Sequence, residues 1–115
     1  MTSKELAKVA FNALDDKKGN NITIIDISGI SILADYFIIC GGNNENQLHA
    51  LANNVEEEMH KAGANLKHTE GYQNANWILM DFQDVIVHIL NEEDRAFYAL
   101  EKIWSDGKAV LPEDL

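Results

Sequence analysis

Two apolar runs, Asn76-Trp-Ile-Leu-Met-Asp81 and Asp84-Val-Ile-Val-His-Ile-Leu90, are separated only by Phe82-Gln83. Large and β-branched residues in runs this short, this close together, make two antiparallel strands joined by a tight turn. With Phe82-Gln83 as the loop, the constant index sum of an antiparallel ladder pairs Asp81 with Asp84, Leu79 with Ile86 and Trp77 with His88. Period two then divides the hairpin. One face carries Ile78, Met80, Val85, Val87 and Ile89, wholly apolar, and must be buried beneath helices. The other carries Trp77, Leu79, Asp81, Asp84, Ile86 and His88, a mixture no dry core would hold. Phe82-Gln83 lacks the Gly or Asn that two-residue turns usually require, so a bulge or wider loop is the alternative to this register.

The rest of the chain supplies the cover. Leu6, Val9, Ala10, Ala13 and Leu14 recur at helical spacing behind Thr2-x-x-Glu5, a capping-box pattern, and predict a helix over 3–16. Lys17-Lys18-Gly19-Asn20-Asn21 ends it. Ile22-Thr-Ile-Ile-Asp-Ile27 reads as a strand, Ser28-Gly29-Ile30-Ser31 as a turn, and Asp35-Tyr-Phe-Ile-Ile-Cys40 as a central, buried strand. After Gly41-Gly42-Asn43, Asn44 and Gln47 can cap a second helix, whose stripe of Leu48, Leu51, Ala52, Val55, Met59 and Ala62 ends at Gly63. Leu66 to Glu70 is weakly strand-like. Asn91 caps a third helix with Glu92, Glu93 and Asp94 in its first turn and Ala96, Phe97, Leu100, Ile103 and Trp104 as its apolar stripe.

This order predicts an α/β fold: one domain, a mixed five-stranded sheet crossed over by the middle helix, with helices mainly on one face. Residues 1–107 form the domain and 108–115 a loosely held tail. Three helices are too few for both faces, so the Trp77 face is left open. An aromatic anchor among aliphatics and a few directional polar groups suits a protein-binding surface, making Trp77, Leu79, Asp81, Ile86 and His88 the candidate partner-binding residues. The alternative is that Trp77 shields a strand edge and a neighbour satisfies His88.

The composition narrows the partner. Nineteen Asp and Glu against nine Lys and Arg give a formal net charge of −10 over 115 residues, the wrong sign for gripping a phosphate backbone. An acidic surface either stays solvated or pairs with a basic protein. Cys40 is the single cysteine, so no internal disulfide can form, and no run approaches the ~18 apolar residues of a membrane span. A cytoplasmic protein is expected.

Catalytic patterns are missing. No strand carries Asp-x-Asp, there is no GxGxxG, and His49, His60, His68 and His88 lack a ligand pair at helical spacing. Gly41-Gly42 reads as turn and cap, and Cys40 as a small buried apolar group. No catalytic residue, metal site or cofactor is expected.

Three stretches together resemble the ribosomal silencing factor, or Iojap, family: Ala34-Asp-Tyr-Phe-Ile-Ile-Cys40; Trp77-Ile-Leu-Met-Asp81 with Asp84-Val-Ile-Val-His88; and Arg95-x-Phe97-Tyr98-x-Leu100-Glu101-x-Ile103-Trp104. Gln47 and Glu56 also sit where that family places a Gln and a Glu. Gly41 stands where relatives commonly have Ser, and Gln83 where they often have Gly. The resemblance implies a nucleotidyltransferase-like fold without catalytic carboxylates. It also implies a repressor that docks on the fourteenth protein of the large ribosomal subunit and blocks joining of the small subunit under nutrient limitation. A homodimer is implied as well, in keeping with Phe97 and Tyr98 crowded on one helix. The competing reading is a degenerate nucleotidyltransferase-like nucleotide-binding protein.

Overall fold

The computed structural model describes residues 2–93 and 107–115. The helix expected over Arg95 to Trp104 lies outside them. Helix α1 spans Ser3–Asp16 and opens on the expected capping box, with the Glu5 N–H donating to Thr2 Oγ1 and the Thr2 N–H donating to Glu5 Oε1, each at 3.1 Å. Strand β1 (Asn20–Asp26) and strand β2 (Tyr36–Gly42) follow. Helix α2 (Glu45–Lys61) is capped by Asn44, whose Oδ1 accepts from the Gln47 N–H at 2.9 Å, and the chain turns away at Gly63 with φ +91°. Strands β3 (His68–Glu70), β4 (Trp77–Asp81) and β5 (Val85–Asn91) complete the central part. The expected α/β fold with a mixed sheet is what forms.

Among the described residues the sheet has six strands in the order β3-β4-β5-β2-β1-β6, not five. The sixth is Lys108–Val110, which pairs antiparallel with β1 through Ile24 and Val110, Ile25 and Ala109, and Asp26 and Lys108. The tail is therefore held. Its Val110 and Leu115 also pack against the main core, and β6 covers an edge whose N–H and C=O groups would otherwise be unpaired. Among the described strands β2 and β5 alone run parallel; this central pair is joined through α2, β3 and β4, and β2 is buried as its apolar run predicts.

Both described helices pack on one face of the sheet. There Leu6, Ala10, Leu14, Leu48, Val55 and Met59 meet Ile24, Ile38, Ile78, Met80, Val87 and Ile89 in one continuous core. At close quarters glycine matters: a Cβ on Gly42 would sit 2.8 Å from Leu48 Cδ2, so the Leu48 side chain would have to shift. Gly41 and Gly42 belong to β2 itself rather than to a turn. Among the described residues no helix is long and apolar enough to cross a membrane.

Candidate functional site

The hairpin forms in the neighbouring register, two residues from the expected one. Trp77 pairs with Leu90, Leu79 with His88 and Asp81 with Ile86. The loop is Gln83-Asp84 because Phe82, 4% exposed, stays in the core and donates its N–H to the Val85 carbonyl at 3.0 Å. Gln83 takes φ +80° at the centre of a tight turn closed by the Asp84 N–H on the Phe82 carbonyl, and Asp81 Oδ1 accepts from the Gln83 N–H at 2.7 Å. A slip of two preserves the faces. Ile78, Met80, Val85, Val87 and Ile89 all lie in the helix-covered core, as the alternation predicts.

On the opposite face the strand registers lay out three rows. Asp81, Ile86, Phe37 and Ile25 form the first; Leu79, His88, Ile39 and Thr23 the second; Trp77, Leu90, Gly41 and Asn20 the third. This face is not simply open. Ile25, Ile27, Ala34, Phe37, Ile39 and Leu90 make a second, smaller core, against which Trp77 and Ile86 are partly buried. Four of the five candidate residues, Trp77, Leu79, Asp81 and Ile86, are half-buried and the fifth is not accessible. His88 is 4% exposed, edge-on to the Phe37 ring at 4.8 Å and beside the Trp77 indole at 5.9 Å. Those two aromatics shield it, which corrects the expectation of an exposed histidine.

The register also explains the polar contact on this face. Because Trp77 lies diagonal to His88 rather than opposite it, the long indole reaches across and donates Nε1–H to His88 Nδ1 at 3.0 Å. Nδ1 is therefore the bare nitrogen, and the neutral ring carries its proton on Nε2. Nε2 is buried with no hydrogen-bond partner among the described residues. Burial pushes the His88 pKa down to about 4, so the ring is neutral at physiological pH.

The ends of the face differ. At the Gly41 end the Glu92 carboxylate sits over Gly41, where any Cβ would overlap it, and Glu92 Oε1 accepts from Asn21 Nδ2 at 3.1 Å. A carboxylate there opposes phosphate rather than cradling it. Asn91 Oδ1 accepts from the Glu93 N–H at 3.1 Å, the expected capping contact. Sequence reasoning missed Phe37 and Leu90 as members of this face; their strand parity, once the parallel β2–β5 pairing is known, identifies them.

Elsewhere the chemistry is sparse. Cys40 is fully buried, and among the described residues no group of three His, Cys, Asp or Glu side chains gathers where it could hold a metal ion. A groove of about 390 Å³ between α1 and α2 is lined by Val9, Asn12, Ala13, Asp16, Asn54 and Glu58.

Together these features define a small α/β domain with a helix-covered back and a half-buried aromatic face. The model of the family "Ribosomal silencing factor during starvation" matches residues 1–115. A ribosomal silencing factor of Halalkalibacterium halodurans is 42% identical over 110 residues, covering 96% of this chain and 94% of that one. Its counterpart in Bacillus subtilis is 41% identical over 107 residues, covering 93% and 91%. A crystal structure of a Chromobacterium violaceum protein superposes with a TM-score of 0.89 at 34% identity, covering 91% of this chain and 88% of that one. The chain belongs to the ribosomal silencing factor family.

Proposed function

We propose that this protein is a cytoplasmic, non-enzymatic translational repressor that binds the fourteenth protein of the large ribosomal subunit and keeps the small subunit from joining. Membership of a family described as silencing the ribosome during starvation is the observation that carries this reading. The half-buried strip of Trp77, Leu79 and Ile86, bordered by Asp81, supports this reading as a surface suited to such a contact. An aromatic anchor offers large rigid area, and Asp81, whose Oδ1 holds the Gln83 N–H, can turn Oδ2 to a Lys or Arg of a basic partner. His88 serves this face from beneath, as the acceptor that orients Trp77. The nucleotide-binding alternative is disfavoured by the Glu92 carboxylate over Gly41. In the homodimer, one face per subunit would be presented to the ribosome.

Co-sedimentation with purified large subunits, followed by a subunit-joining assay, tests the reading. Specific binding and reduced joining are expected. A rise in Tm on adding nucleoside triphosphate with Mg²⁺, without binding to large subunits, would overturn it.

A further inference from the structure

The segment between β1 and β2 exposes three large aliphatic side chains in succession. Ile30 is 47% exposed, Ile32 102% and Leu33 79%, in a chain whose other described large hydrophobics are mostly buried. The segment is not loosely tethered. The Ile30 and Ser31 N–H groups both donate to the Ile27 carbonyl, at 3.0 and 2.9 Å, the Leu33 N–H donates to Ser31 Oγ at 3.1 Å, and Ile27 and Ala34 anchor its ends in the smaller core. The Asp35 N–H then donates to the Asp84 carbonyl at 2.8 Å, fastening the segment to the β4–β5 turn. Apolar area held out in water on a hydrogen-bonded support is the mark of a contact surface rather than of a frayed loop.

Carboxylates outnumber ammonium groups around it. At this end of the sheet the strands and turns bring together Asp26, Asp35, Asp81 and Asp84, against the ammonium groups of Lys67 and Lys108. Asp26 is held ionised by the Ser28 hydroxyl and N–H, which donate to its Oδ1 at 2.6 and 2.9 Å. Because Ile27 and Ala34 belong to the same small core as Trp77 and Ile86, the projecting segment continues the Trp77 face beyond its Asp81 row.

We propose that Ile30, Ile32 and Leu33 form an apolar knuckle that seats in a recess of a Lys- and Arg-rich protein, with the surrounding carboxylates pairing with the basic residues at the rim of that recess. The occupant is protein rather than nucleic acid, since the four carboxylates at this end outnumber its two ammonium groups and the chain as a whole carries a net charge of −10, which repels a phosphate backbone. At this surface a second copy of the chain would set carboxylate against carboxylate, so the homodimer proposed above does not use it. The inference rests on the ribosome-binding reading and deepens it: the basic partner is gripped at two places, the Trp77 strip and the knuckle.

The test compares three folded variants for binding to purified large ribosomal subunits across a salt series. Ile32→Ser with Leu33→Ser removes only solvent-facing groups and should leave Tm unchanged while weakening binding about tenfold or more. Asp84→Asn keeps the backbone carbonyl that holds Asp35 and should weaken binding with a shallower salt dependence. Parent-like binding by the double serine variant, while Trp77→Ala binds weakly, would overturn the knuckle and leave the ribosome-binding reading standing. Loss of binding by the serine variant with Trp77→Ala unaffected supports the knuckle and removes the strip. Binding unchanged in both strength and salt dependence in Asp84→Asn, or equal capture of deproteinised ribosomal RNA, overturns the basic-protein occupant. Failure of the parent chain to bind large subunits overturns both.

Discussion

His88 is held neutral in an aromatic pocket, and that has a cost which depends on pH. Its folded pKa of about 4 lies below the ordinary value of 6.5, so between these limits the unfolded chain binds more protons than the native one. The stability associated with a neutral His88 is fully present above about pH 6.5 and is lost as pH falls toward 4, with a slope approaching ~1.4 kcal/mol per pH unit. Denaturant titrations at successive pH values should show this slope, and His88→Phe should flatten it; equal slopes in the two proteins would show that His88 is not the group responsible. The same variant removes the His88 Nδ1 acceptor of the Trp77 N–H. At the surface of the pocket, Trp77→Ala should cost large-subunit binding about 2 kcal/mol or more, measured by titration, and Asp81→Ala less. Asp81→Ala also forfeits the 2.7 Å bond to the Gln83 N–H, which should lower stability by about 1 kcal/mol, so its Tm must be recorded beside its affinity.

At the scale of elements, the β4–β5 turn is one of the places where the backbone is strained, alongside Lys18, Asn21 and Ala75. Gln83 occupies a left-handed conformation, φ +80°, that glycine adopts without penalty. Gln83→Gly should therefore raise stability by roughly 1 kcal/mol, read as a higher denaturation midpoint with an unchanged m-value. An unchanged or lower midpoint would show that the Gln83 side chain contributes more than its backbone loses. This turn also marks where the sequence ceased to be legible. Local signals were sufficient for α1, with its Thr2–Glu5 box, for α2, with Asn44 and Gln47, and for the alternation of β4 and β5, because each depends on residues a turn or a strand apart. The hairpin register depended on whether Phe82 would enter the core, a tertiary choice that places Trp77 diagonal to His88 instead of opposite it. The extent of β2 was obscured in the same way: Gly41 and Gly42 look like a turn in isolation, yet their bare backbones are what let Glu92 and Leu48 approach the strand.

At the scale of the whole molecule, the two ends of the chain and its charge act over longer distances than any cap or turn. Strand β6 could not be read from Lys108-Ala109-Val110, three residues with little strand character, because its existence depends on the free edge of β1. Deleting residues 108–115 should lower Tm and promote aggregation, since Ile24 and Ile25 would then face solvent along an unpaired edge; a variant as stable and dispersed as the parent would show that β6 is dispensable. The net charge of −10 is also distributed unevenly with respect to the proposed contact. Glu56, Glu57 and Glu58 lie on α2, behind the sheet, with Glu57 and Glu58 paired to Lys61 at 3.4 and 3.6 Å on an exposed surface. Such pairs add little to stability. Charges placed there attract a basic partner only through solvent, where salt at 0.1 M screens them beyond ~10 Å. Replacing all three by Gln should therefore slow association with large subunits a few-fold at low salt and leave the dissociation rate nearly unchanged. The difference should vanish as salt is raised. If the triple variant instead dissociated much faster at every salt concentration, α2 would itself lie in the contact, and the half-buried Trp77 face would not be the principal site of docking.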